Sequence, residues 1–203
     1  MLVRNVLLML SVFLMLSGCV AAVSTGVMSL GIKAARDKTI GESLDDGAIS
    51  LKIKKEFIAK GFKNLYTKIN VEVFQGRVLY TGNVDKEEDI ITAIDIAWNQ
   101  KEVKEVINEL SVSEDKRTVD VLQYSKDTWI TTKVKSKIFS DRKIKFINYT
   151  VVTTNNVVYL FGLARSEEEL QIVAEMTASV SGVEKVISHV KVKETQDVIH
   201  KNT

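Results

Sequence analysis

Val78-Leu79-Tyr80-Thr81-Gly82 and Val158-Tyr159-Leu160-Phe161-Gly162 are one five-residue pattern written twice, 80 residues apart. Each is followed by a glutamate pair, Glu87-Glu88 and Glu167-Glu168. Self-similarity at a fixed offset is the mark of a duplicated structural unit, and here it extends in both directions. Upstream, Asp46, Ile49, Lys52, Ile53 and Lys54 correspond to Asp127, Ile130, Lys133, Val134 and Lys135 at an offset of 81. Downstream, Val103, Val106, Ile107 and Val112 correspond to Val183, Val186, Ile187 and Val192. Most of the chain is therefore two copies of one module.

Each copy reads helix, strand, strand, helix, strand. Ile49, Ile53 and Phe57, and in the second copy Ile130, Val134 and Ile138, recur every fourth residue and make one apolar helix stripe. Asp46 and Asp127 are expected to cap these helices. Ile69, Val71 and Val73 alternate with polar residues as a half-buried strand does. Gln75-Gly76 and Asn155-Asn156 supply the turns, since Gly and Asn tolerate positive φ. Asp85 with Glu88, and Ser166 with Glu169, have the spacing of a capping box at the start of the second helix. The fold class is α+β, as two tandem αββαβ modules.

Outward from the repeat, the N-terminus carries Arg4 and then an apolar run of 11 residues, Val6 to Leu16. A bilayer span needs about 20 apolar residues, whereas a signal-peptide core needs fewer. Leu16-Ser17-Gly18-Cys19 resembles the bacterial lipobox and holds the chain's one cysteine at the position that receives lipid. The segments are then a signal peptide (1–18), a lipidated N-terminus and short tether (19–44), the first module (45–114), a connector (115–126), the second module (127–194) and a polar tail (195–203). Val20, rather than Asp, after the cysteine favours the outer membrane where the enterobacterial sorting rule operates.

Composition narrows the chemistry. One cysteine excludes an intramolecular disulfide framework and any multi-cysteine metal site, and two histidines leave little for ligation or proton transfer. His189 and His200 have no catalytic partner in the sequence, and acidic residues such as Glu167-Glu168-Glu169 ordinarily open a helix to suit its dipole. No catalytic residues, metal or cofactor are expected. The overall charge of +2 does not suggest a nucleic-acid partner.

With the V-x-L-x-G pattern ending at Gly162, the V-x-G-V turn at Val180-Ser181-Gly182-Val183, the order of elements and the lipobox together, the chain resembles the BON-domain family, and within it the dual-BON outer-membrane lipoproteins. That resemblance implies a non-enzymatic, lipid-anchored protein on the periplasmic face of the outer membrane, binding phospholipid and supporting membrane integrity. The first copy departs from the pattern: Tyr80 stands at the leucine position, and Trp98-Asn99-Gln100-Lys101-Glu102-Val103 lacks the turn glycine.

Charge separates the copies. Residues 45–115 hold 10 Lys/Arg against 14 Asp/Glu, a net of −4, and residues 126–194 hold 11 against 8, a net of +3. An anionic membrane prefers the second. On a helix advancing about 100° per residue, Trp129 turns away from the Ile130 stripe, flanked by Lys126, Lys133 and Lys137. Arg142, Lys143 and Lys145 follow the helix and are expected to add to the same field. These seven residues are the candidate lipid contacts, and the first copy has Ala48 in place of Trp129. The competing readings are that Trp129 packs on the linker or the other module, and that one or both copies bind an envelope protein while the anchor supplies only location.

Overall fold

A computed structural model describes residues 40–113 and 121–193, with side chains from Asp45 onward. The lipobox, Cys19, the tether up to residue 39, the connector residues 114–120 and the tail with His200 lie outside the described residues. The first module runs α1 (Ile40–Ala59), a short α2 (Lys63–Lys68), β1 (Ile69–Phe74), β2 (Arg77–Val84), α3 (Glu87–Trp98) and β3 (Glu105–Val112). The second runs α4 (Val121–Ser140), a 3₁₀ turn at Phe146–Asn148, β4 (Tyr149–Thr154), β5 (Val157–Ala164), α5 (Glu167–Ala178) and β6 (Lys185–Val192). Each module is thus αββαβ with one added turn of helix before its first strand. Two helices also start earlier than the sequence suggests, α1 within the tether and α4 within the connector.

In each sheet the second strand is central, antiparallel to the first and parallel to the third, so β2–α3–β3 and β5–α5–β6 are crossover units. The duplicated pentapeptide is that central strand. Its glycine is fixed by a close approach: a Cβ on Gly82 would stand 2.1 Å from the Lys68 carbonyl oxygen, and one on Gly162 would stand 2.0 Å from that of Asn148. Both also have φ above 130° (132° and 136°), a conformation glycine alone adopts readily.

The turns have positive φ as expected, at Gln75 and Gly76 and at Asn155 and Asn156. Asp46 and Asp127, however, do not cap helices. Both lie within helices that begin earlier, and both are buried. Asp46 accepts the backbone N–H groups of Gln75 and Gly76, each at 2.8 Å. Asp127 accepts those of Asn155 and Asn156, each at 2.9 Å. Two successive tight-turn amides point the same way, and a carboxylate from the first helix satisfies both. Asp85 is likewise not a cap, because the copies align here at 80 and Lys86 occupies the place of Ser166. Asp85 instead meets the Lys68 ammonium at 2.6 Å. Ser166 does cap α5, accepting from the Glu169 amide at 3.1 Å.

The modules pack on each other, sheet to sheet, a point the sequence leaves open. Val78, Tyr80 and Val84 of β2, with Val158, Leu160 and Ala164 of β5, face their own helices. The alternate positions make a third core: Phe74 and Leu79 meet Tyr159 and Phe161, with Ile107, Val157, Leu163 and Ile187 around them. The rings of Phe74 and Phe161 sit edge to face at 6.2 Å. β2 and β5 are therefore buried on both faces, which is why both read as nearly continuous apolar runs. The result is four layers, helices, sheet, sheet, helices, with α1 and α3 on one outer surface and α4 and α5 on the other.

Candidate functional site: a basic, aromatic helix face

Α4 carries the candidate site because its core stripe leaves one flank open. Ile130, Val134 and Ile138 are fully buried, while Trp129 is 49% exposed. The Lys133 ammonium lies over the indole, 5.5 Å from the ring centroid, a cation–π arrangement that holds the ring and the charge together. Lys126 is exposed on the same flank, one turn earlier. Leu122, seven residues before Trp129 and thus on the same side, is strongly exposed. The structure brings together Leu122, Lys126, Trp129 and Lys133.

It places the other candidates elsewhere. Lys137 is half-buried, and its ammonium donates to the Ser179 hydroxyl at the end of α5. Arg142 and Lys143 are exposed and Lys145 half-buried in the turn beyond α4. They follow the end of α4 at Ser140, which at about 1.5 Å of rise per residue is already about 16 Å from Trp129, beyond the Debye length of about 8 Å at physiological salt. They flank a different apolar side chain, Phe139, which is 71% exposed and meets Phe146 edge to face at 5.5 Å. The backbone carbonyl of Lys143 is bound by the Arg165 guanidinium.

Several interactions escape a reading by sequence. Tyr149 donates to the buried carboxylate of Glu169 at 2.8 Å, and the Arg165 guanidinium meets the same carboxylate at 2.5 Å. Burial, reinforced by that carboxylate, pushes the Tyr149 phenol well above its usual range. Burial alone does the same for Tyr80, whose hydroxyl donates to the Ala93 carbonyl at 3.0 Å. Both phenols are neutral structural donors. His189 meets Glu109 across the module boundary at 2.8 Å, and its carbonyl accepts from Arg77 at 3.0 Å. Arg77 in turn binds Glu105 at 2.7 Å and lies over Phe161. These polar groups rim the third core. Among the described residues no group of three or more His, Cys, Asp or Glu could hold a metal ion, and no helix is long and apolar enough to cross a membrane.

The BON-domain family model matches residues 45–114 and 126–194, and the chain belongs to the BON-domain family. It is 32% identical to the outer membrane lipoprotein DolP of Haemophilus influenzae over 184 residues, covering 91% of this chain and 93% of that one. An uncharacterised protein of Anaplasma centrale is 40% identical over 75% of this chain and 98% of its own. The osmotically-inducible protein Y of Escherichia coli is 28% identical over 76% of each chain. The structure of CdsD, a structural protein of the Type III secretion system of Chlamydia trachomatis, aligns with 74% of this chain at 14% identity and a TM-score of 0.31, and the chain spans 65% of that structure's length. The protein is an outer-membrane lipoprotein of the envelope, of the DolP kind.

Proposed function

We propose that the second BON module binds anionic phospholipid through the exposed flank of α4, with Trp129, Lys126 and Lys133 in direct contact. Cys19 carries the lipid anchor, and the first module supports and orients the second. The protein acts without catalysis and contributes to outer-membrane integrity. The observation that carries this reading is the half-exposed Trp129 indole beneath the Lys133 ammonium, on a module of net charge +3. Indoles favour the headgroup level of a bilayer, and each Lys or Arg near an anionic surface contributes about 1 kcal/mol. Lys137, Arg142, Lys143 and Lys145 add a more distant positive field.

The test is co-sedimentation with phosphatidylglycerol and with neutral vesicles, at low and physiological salt. Selective, salt-sensitive binding weakened by Trp129→Ala is expected; equal affinity for both vesicles, or an unchanged affinity in the variant, overturns the reading. The rival, an adaptor for an envelope protein, draws support from exposed Ile91 and Trp98 on the acidic first module. Binding to a partner through those side chains would be insensitive to salt, unlike headgroup binding.

A further inference from the structure

The outward face of α3 is a second amphipathic stripe, opposite in charge to that of α4. Glu88, Ile91, Asp95 and Trp98 recur at intervals of three and four residues, the spacing that puts side chains on one helix face, and all four are exposed. Ile91 and Trp98 are each more than half exposed, unusual for side chains of their size. Α3 contains no lysine or arginine, and neither Glu88 nor Asp95 has an ionic partner among the described residues. In the second copy the positions of Ile91 and Trp98 are held by Gln171 and Ala178, so the stripe belongs to the first module alone.

Spacing makes the two stripes complementary. Along α4 the order is Leu122, Lys126, Trp129, Lys133. Along α3 read backwards it is Trp98, Asp95, Ile91, Glu88. Laid antiparallel, apolar side chain meets apolar side chain and lysine meets carboxylate at every step, in register to within one residue, or about 1.5 Å. Matched charges on both sides of an apolar seam are what fix orientation and register between two helices. The two helices lie on opposite outer surfaces of the four-layer body, so one molecule cannot close this contact on itself. We infer that α3 of one copy docks antiparallel on α4 of a second copy. The contact is heterologous and leaves an α3 and an α4 free at its ends, so it propagates as an open head-to-tail row. Because it occupies the Trp129 flank, self-association and lipid binding exclude each other at that face.

Disulfide trapping with the whole chain tests this. Cysteine variants are reconstituted separately and in mixtures into phosphatidylcholine vesicles and treated with copper–phenanthroline. Samples holding a single variant correct for any background from Cys19. A mixture of Glu88→Cys and Lys133→Cys is expected to give covalent dimer several-fold above either variant alone, as is Asp95→Cys with Lys126→Cys, with both yields falling between 0.1 M and 1 M salt. All four positions are exposed, so the variants leave the cores intact. No excess of dimer in either mixture overturns the proposal. So does a dimer from Asp95→Cys with Lys126→Cys but none from Glu88→Cys with Lys133→Cys, which a parallel contact would give. Phosphatidylglycerol vesicles probe competition for α4: suppressed trapping fits competition between lipid and the second copy, and full trapping shows that the self-contact holds on an anionic surface.

Discussion

The two modules share a frame and differ in what they show to the outside. Both clasp the hairpin turn with a buried aspartate, both press a glycine of the central strand against a carbonyl, and both cover the sheet with the same helix stripe. Over this frame the first module presents an acidic helix with Ile91 and Trp98, and the second a basic helix with Trp129. Duplication has preserved the residues that close the turn and the sheet and released the helix surfaces. What distinguishes the copies is their contact chemistry.

The largest expected effects break the shared frame. Gly82→Ala and Gly162→Ala each force a methyl into a carbonyl at about 2 Å, and each is expected to cost at least about 3 kcal/mol in chemical denaturation. Similar losses would show that the copies are built alike; a tolerated alanine in one would show that its strand has drifted. Phe161→Ala, in the core between the sheets, is expected to cost about 3–5 kcal/mol and to separate the unfolding of the modules into two transitions. Asp46→Ala and Asp127→Ala each strand two turn amides, at about 1–3 kcal/mol, seen in the same denaturation curves.

Smaller effects sharpen the contrast between surfaces. Replacing Lys126 and Lys133 together by Gln removes about 2 kcal/mol of attraction to an anionic vesicle at low salt, roughly a thirtyfold weakening. Replacing Lys54 and Lys55 of the first module by Gln is expected to change vesicle affinity little. Acid provides the mildest probe. The Arg77 guanidinium holds the Glu105 carboxyl below the usual carboxylate range, aided by Lys191 and opposed by partial burial. Its contribution to module packing is present above that usual range and is lost as pH falls through the depressed value. Interface signals in an acid titration should therefore weaken only below about pH 4.

The frame was legible because a duplicated pattern reports itself. Ile49, Ile53 and Phe57 and their counterparts are buried as the four-residue spacing implies, and the turn residues have the φ their types allow. The roles of Asp46 and Asp127 were not legible, since a helix-opening aspartate and one that clasps a turn 28–30 residues away look alike locally. Their recurrence beside a recurring turn was the available signal. The packing of Phe74 and Leu79 on Tyr159 and Phe161 was hidden for another reason: a continuous apolar run shows that a strand has two buried faces, not what covers the second. Leu122 escapes a reading by sequence because α4 begins before residue 127, and Arg142, Lys143 and Lys145 lie beyond Ser140, which ends α4 about 16 Å from Trp129.

On the proposed function, the second module, and not the first, reads an anionic membrane. Residues 40–203, without the lipid anchor, should co-sediment with phosphatidylglycerol vesicles at low salt. That binding should weaken at physiological salt and in Trp129→Ala, whose circular dichroism and melting should match the unaltered protein. Trp98→Ala should bind as the unaltered protein does. Loss of vesicle binding in Trp98→Ala with full binding in Trp129→Ala would contradict the account and move the membrane contact to the first module.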